Sequence, residues 1–299
     1  MSTFDDLQQA YVSSELRAIG LQSATARLFQ PGVTVPATDA DLWALFNTIP
    51  TAGGTFYAPS ILAFFTSYST LINALVPGTN PLDPVKVAQS RLAAWGSKPP
   101  TWNQGVEALS RALQAVSRLS FNFNNPATPD PGYWGLWGHS SPITGPSDSY
   151  AAGSVSVSTA FKHLLSFTPT PGDWYVSTAI SLAYRNKTGA PWNPASPVTW
   201  QTTFGEGGML QQLLAALVVV SGIDITANSS TSFSPPEQAL IAAGLPNGLW
   251  PHYLTGSGIN TKASFNATSG QMTTTITSTA SNARMLFAVV MPAQQYLGL

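Results

Sequence analysis

Between Asp41 and Asp83 the chain has no charged residue, and between Lys187 and Lys262 it has no lysine or arginine. Charged residues make up 8% of its 299 residues, where an ordinary soluble domain carries about 25%. A chain this poor in charge must solvate its surface with Ser, Thr, Asn, Gln and Gly. Surfaces of that kind repel copies of themselves less, which favours self-association. A neutral secreted protein is the plainer alternative. Apolar residues reach 44% and the formal net charge is -1, so the chain resembles neither a disordered segment nor a basic nucleic-acid reader. Its length suits one or two domains with an ample core.

The charges that do occur are front-loaded: residues 188–299 hold only Lys262 and Arg284 against Glu206, Asp224 and Glu237. There is no cysteine, which removes disulfides, thiol chemistry and cysteine-based zinc sites. Met1 is followed by Ser-Thr-Phe-Asp-Asp, without the basic and apolar regions of a secretory signal. Synthesis in the cytoplasm, or residence in an assembled particle, is therefore the expectation. Sequons at Asn186, Asn228 and Asn266 matter only in a secretory pathway. The longest apolar run, Leu213–Val220, is far shorter than the roughly 20 residues of a membrane-spanning helix, so no transmembrane segment is expected.

Hydrophobic periodicity places helices over most of residues 1–120. Phe4, Leu7, Tyr11, Val12, Leu16 and Ile19 form one stripe ending near Gly20 or running on to Leu28. Thr38 or Asp39 caps a short helix stopped before Pro50. A charge-free helix spans Ile61–Leu75. Asp83-Pro84 opens a helix closed by Gly96, and Thr101–Gln104 has capping-box form before another. Residues 121–150 break the pattern with five prolines and four glycines, making a long connecting segment. Beyond it, Ser154–Ser158, Trp174–Leu182, Gln271–Thr279 and Leu286–Val290 read as strands. Helices are expected over Gly208–Val220 and from Ser234 to Gly244. The expected fold class is α+β, with a helix-rich N-terminal half packed on a mixed, strand-containing C-terminal half. Its regions are 1–120 (helical), 121–150 (Pro/Gly/aromatic connection) and 151–299 (mixed), compatible with one continuous domain.

Catalytic signals are sparse. The three histidines, His139, His163 and His252, lack metal-ligand spacing, and no HExxH occurs. Ser140, Ser141, Asp148 and Asp173 could join a histidine in a hydrolytic triad, but no GxSxG elbow or defensible SxxK context supports it. Asp130, Asp148, Asp173 and Glu206 are the mid-chain carboxylates that glycoside chemistry would need, without a motif. Asp39 and Asp41 suit a helix start better than a cation. Gly205–Gly208 and Gly256-Ser-Gly258 complete no phosphate-binding motif. The reading is non-enzymatic, with no cofactor and no metal.

The most distinctive local feature is Gly132-Tyr-Trp-Gly-Leu-Trp-Gly138. Tyr133, Trp134 and Trp137 are the expected contact residues, since exposed aromatics bury large areas at little entropic cost. The function expected is a self-assembling structural protein, a shell, capsid or coat-like subunit of a virion or similar particle, whose partners are copies of itself. A nucleic-acid cargo is compatible with it, though Asp5 and Asp6 make this N-terminus acidic rather than a basic arm. The alternative is a pore-forming or membrane-docking toxin or defence protein, its aromatic loop as interfacial anchor. Against that, only Met272 and Ile276 are strongly apolar in Gln271–Thr279, too sparse for a lipid-facing strand. A carbohydrate-binding protein comes third, resting on the same aromatics.

Overall fold

A computed structural model describes residues 4–125 and 153–299. Nine strands dominate its pairing: β1 (Ala26–Thr34), β2 (Thr48–Pro50), β3 (Pro59–Ala63), β4 (Leu119–Asn125), β5 (Val155–Phe167), β6 (Gln212–Ser232), β7 (Ile259–Phe265), β8 (Gln271–Ser278) and β9 (Arg284–Pro292). Seven of them form one sheet in the order β1-β9-β6-β5-β4, with β8 also on β6 and β7 on β8. The register of β4 on β5 runs antiparallel from Leu119 opposite Phe161 to Asn125 opposite Val155. On the other flank Asp224 of β6 opposes Thr277 of β8, also antiparallel. β6 has 21 residues, enough length to carry β8 and β9 as well as β5. The remaining two strands, β2 and β3, make a separate hairpin.

This corrects the expected fold. The described residues are 32% helix and 33% strand, built on a large antiparallel sheet, and a helix-rich N-terminal half is not borne out, because strands are interleaved with its helices. Strands β1, β2, β3 and β4 all fall within the first 125 residues. The reason is that strand formation here depends on distant partners. β1 contains Pro31 and Gly32, which disfavour a strand locally, yet it pairs with β9 from the far end of the sequence. The apolar run Leu213–Val220 is also strand, not helix. A run that short and that apolar suits a central, doubly covered strand as well as a buried helix, and Val218, Val219 and Val220 are β-branched. Conversely, Trp174–Leu182 is not a strand: α6 covers Ser177–Arg185 and buries Ala179, Ile180 and Ala183, a helical spacing.

Two compact units emerge, each drawn from three stretches of sequence. The first comprises Met1–Val35, Ala112–Ser166 and Val218–Phe287. Within it α1 (Phe4–Ala18) packs on β4 and buries Leu7, Tyr11, Val12 and Leu16. Helix α8 (Pro235–Gly244) opens on a complete capping box, Ser234 N donating to Glu237 Oε2 at 2.7 Å. Arg284 Nη1 donates to Thr34 Oγ1 at 2.9 Å, joining β9 to β1.

The second unit comprises Pro36–Arg111, Phe167–Leu217 and Ala288–Leu299. It holds α2 (Asp39–Phe46), the β2–β3 hairpin, α3 (Phe64–Ala74), α4 (Pro84–Trp95), the start of α5 (Val106–Ala115), α6, α7 (Trp200–Phe204) and α9 (Ala293–Tyr296). Its core is aromatic. Trp174 is fully buried and meets Phe64, Phe65, Tyr68, Trp102 and Tyr175 at ring-centroid distances of 5.0 to 5.8 Å. Its indole Nε1 donates to Thr101 O at 2.9 Å, so the polar handle of a buried tryptophan is satisfied.

Candidate functional site

Tyr133, Trp134 and Trp137 lie outside the described residues, as do His139, Ser140, Ser141, Asp130 and Asp148. The other sequence candidates are placed. His163, on β5, has Nδ1 3.0 Å from Val116 O. Asp173 is exposed, and its carbonyl oxygen accepts from Arg91 Nη1 at 3.4 Å. Gly205–Gly208 forms the turn that ends α7, with Gly205 N donating to Gln201 O and Gly208 N to Gly205 O. Gly256 and Gly258 both have positive φ, +93° and +76°, the backbone of a turn. Asp39 does more than start its own helix: its Oδ1 accepts from Val106 N at 2.7 Å, capping α5, while Thr38 caps α2. Among the described residues no group of three or more His, Asp and Glu side chains comes together. None of their helices is long and apolar enough to cross a membrane.

The sequence reading missed a buried acid–base pair in the first unit. Gln8, Tyr11 and Glu15 recur along α1 at steps of three and four, which puts them on one face. Glu15 Oε1 lies 3.2 Å from His252 Nε2, and neither side chain has exposed surface. The Tyr11 ring stands edge-on to His252, Trp250 and Phe123 at centroid distances of 5.8, 5.1 and 5.6 Å, and its hydroxyl is 3.0 Å from Thr159 Oγ1. Burial pushes the Tyr11 hydroxyl well above its ordinary range; the Glu15 charge adds to this and the Thr159 bond opposes it. The Gln8 amide, both Glu15 carboxylate oxygens and both His252 ring nitrogens are buried without a hydrogen-bond partner among the described residues, so Glu15 and His252 are close enough for an ion pair but are not hydrogen-bonded. General acid–base work needs a substrate within hydrogen-bond reach of such a pair; neither side chain has exposed surface, and the Tyr11 ring packs against His252. The available signal was Glu15 itself, a carboxylate on the helix face that also carries Gln8 and Tyr11.

The second unit carries two cavities at its surface. One groove, of about 560 Å³, is walled by Trp43 and Ala44 of α2 and by Trp95, Pro99 and Pro100. Gly96, at φ +66°, ends α4 and turns the chain so that residues 98–100 run back beside Trp95. Both indoles are anchored: Trp43 Nε1 donates to Gln104 O at 3.0 Å and Trp95 Nε1 to Lys98 O at 3.0 Å. Lys98 Nζ sits 5.8 Å from the centre of the Trp95 ring, within cation–π range. A second cavity, of about 590 Å³, is lined by Asn103, Tyr175, Ser177, Met291 and Tyr296 among others. Burial raises the Tyr296 hydroxyl to about 12 and Tyr175 well above 10, with Tyr296 and Tyr68 adding to the latter. Those hydroxyls remain protonated donors at neutral pH.

The same unit exposes large aliphatic side chains. Ile61 is fully exposed, Leu82 is 81% exposed and Val76 50%. All three belong to the stretch without charge between Asp41 and Asp83.

Comparison of the chain with protein-family models, with curated proteins and with solved structures finds no match in any of the three. The functional reading therefore rests on the chain's own residues. The described residues form two units, and exposed apolar side chains and an apolar groove belong to the second.

Proposed function

We propose that the chain is a non-enzymatic structural protein that assembles with copies of itself, as a shell, capsid or coat-like subunit does. The observation that carries this reading is the full exposure of Ile61, with Leu82 and Val76 also exposed, along a stretch that contains no charge. Exposed aliphatics scattered on a monomer are ordinary. Here no charged side chain of the same stretch is available to keep neighbouring molecules apart, and contact interiors are depleted in charge for the same reason. A nucleic-acid cargo belongs to the same proposal. With 12 basic residues against 13 acidic ones, such a cargo would be enclosed with little charge neutralisation.

Negative-stain electron microscopy and sedimentation of the purified chain at modest salt, without lipid, test the reading. Shells, rings or filaments of uniform size support it, and nuclease-protected nucleic acid in such particles supports the cargo. A single species of 31.5 kDa across the accessible concentration range refutes constitutive assembly.

A further inference from the structure

We infer that the groove walled by Trp43, Trp95, Pro99 and Pro100 receives the β2–β3 hairpin of a second copy of the chain, with Ile61 as the inserted residue. This deepens the assembly reading and rests on it.

The hairpin needs cover. Neighbouring residues on a strand point to opposite faces, yet both Ile61 and Leu62 of β3 are exposed, the latter by 39%. The exposed aliphatic surface lies on β3, whereas Ile49 and Pro50 of β2 are buried and the hairpin contacts α2 and α3. Pro59 is exposed as well and shares the Ile61 face, two residues away. Phe56, 41% exposed, precedes them in the connecting turn.

The groove fits that cover in chemistry and in size. Its indole N–H groups are already committed to Gln104 and Lys98 carbonyls, so an apolar guest leaves no donor stranded. Removing one leucine side chain from a core leaves a cavity of about 150 Å³; a groove of about 560 Å³ accepts a few side chains of that size, matching Pro59, Ile61 and Phe56. Charge agrees too. The hairpin has none, and Lys98, the groove's one charge, is positioned beside the Trp95 ring rather than across the opening. Insertion therefore brings one charge into the contact, Lys98, which the Trp95 ring face partners.

The hairpin that fills the groove is another molecule's, because Ile61 of the same chain is fully exposed while its own groove is open. Hairpin and groove are different surfaces, so the contact is head-to-tail. Such contacts propagate into rings, shells or filaments.

The test uses paired variants, and the absence of native cysteine makes engineered thiols specific. Ile61→Asp and Ala44→Glu spoil the hairpin and the groove respectively, both at exposed positions. Each is expected to weaken the contact by about tenfold or more, from the loss of one buried aliphatic anchor, and to abolish large assemblies with an unchanged melting curve. Mixed together, each variant retains one good surface, so the mixture should form a one-to-one dimer and nothing larger. Oxidation of an equimolar mixture of the single variants Ile61→Cys and Ala44→Cys should give an intermolecular disulfide, whereas Leu82→Cys with Ala44→Cys should not. If the wild type assembles while both charged variants assemble equally well, or the Ile61/Ala44 thiols do not link, the hairpin contact is refuted and the assembly reading stands. If the wild type is monomeric and no link forms, both fall. Quenching of the groove tryptophans by a polyproline peptide, without any effect of Ile61→Asp on assembly, would assign the groove to a foreign peptide instead.

Discussion

Glu15 and His252 meet at 3.2 Å in the interior of the first unit, one from an N-terminal helix and the other from a loop 237 positions later, with no exposed surface on either side chain. A buried pair of this kind is weak evidence for net stability but is costly to break, because the surviving partner is left buried without its complement. Glu15→Leu or His252→Leu alone should therefore cost about 3–5 kcal/mol of unfolding free energy. The double variant Glu15→Leu/His252→Leu should recover much of that loss. Denaturant midpoints followed by circular dichroism measure all three. Equal losses in the single and double variants would show that shape, not pairing, matters at this position.

Asp39 links α2 to α5: its carboxylate accepts from Val106 N at 2.7 Å. A Cβ at Gly105 would collide with that carboxylate, so the glycine keeps the approach open. Asp39→Ala removes the cap and should lower stability by about 1 kcal/mol, within the range measured for lost N-caps. Gly105→Ala should be worse, since it displaces the carboxylate and adds bulk. Thermal melts of the two variants against wild type decide the order, and a harmless Gly105→Ala would contradict the geometry.

How much of this was legible from residues follows from the range of each interaction. Asp83-Pro84 and Gly96 bound α4 as their local chemistry demands, with Asp83 Oδ1 accepting from Val85 and Lys86 amides. Ser234 and Glu237 likewise form the capping box their spacing implies. Signals of that sort need only neighbours in sequence. The Asp39–Val106 cap joins residues 67 apart, and the strandedness of β1 depends on β9; neither leaves a periodic trace. Leu213–Val220 reads as helix and folds as strand for a different reason: an element buried on all sides loses the polar face that reveals its period. The groove escaped notice because Trp43 and Trp95 come from separate helices, and nothing in either local pattern brings them together.

Gly222 interrupts the long strand β6 at φ +61°, and a Cβ there would approach Lys162 Cβ of the neighbouring strand β5 to 2.5 Å. Gly20 has a comparable φ of +75° but open space around it. The pair separates backbone cost from steric cost. Gly20→Ala should lose roughly 1–2 kcal/mol, the price of a left-handed conformation for an L-residue. Gly222→Ala carries the same backbone term plus displacement of Lys162 and should lose more. Equal destabilisation of the two variants, read from urea midpoints, would mean that β5 yields freely at Lys162.

The buried tyrosines of the second unit set an alkaline limit. Burial raises the Tyr68 and Tyr296 hydroxyls each to about 12, against an ordinary 10; the Val176 amide and Arg91 oppose the shift at Tyr68. Tyr68 also accepts from Val176 N at 2.9 Å. Below pH 10 both states keep these protons and the contribution is constant. From pH 10 upward the unfolded chain loses them while the folded chain holds on, so it is the folded state that binds more protons and stability falls with rising pH. The loss should develop between pH 10 and about 12, where the folded groups also ionise. Denaturant midpoints across that window, with tyrosinate absorbance recorded in parallel, provide the check. Tyr296→Phe removes one of the titrating groups and should flatten the decline. A wild-type midpoint constant to pH 12, or an undiminished slope in Tyr296→Phe, would mean that these hydroxyls ionise in the folded protein as they do in water.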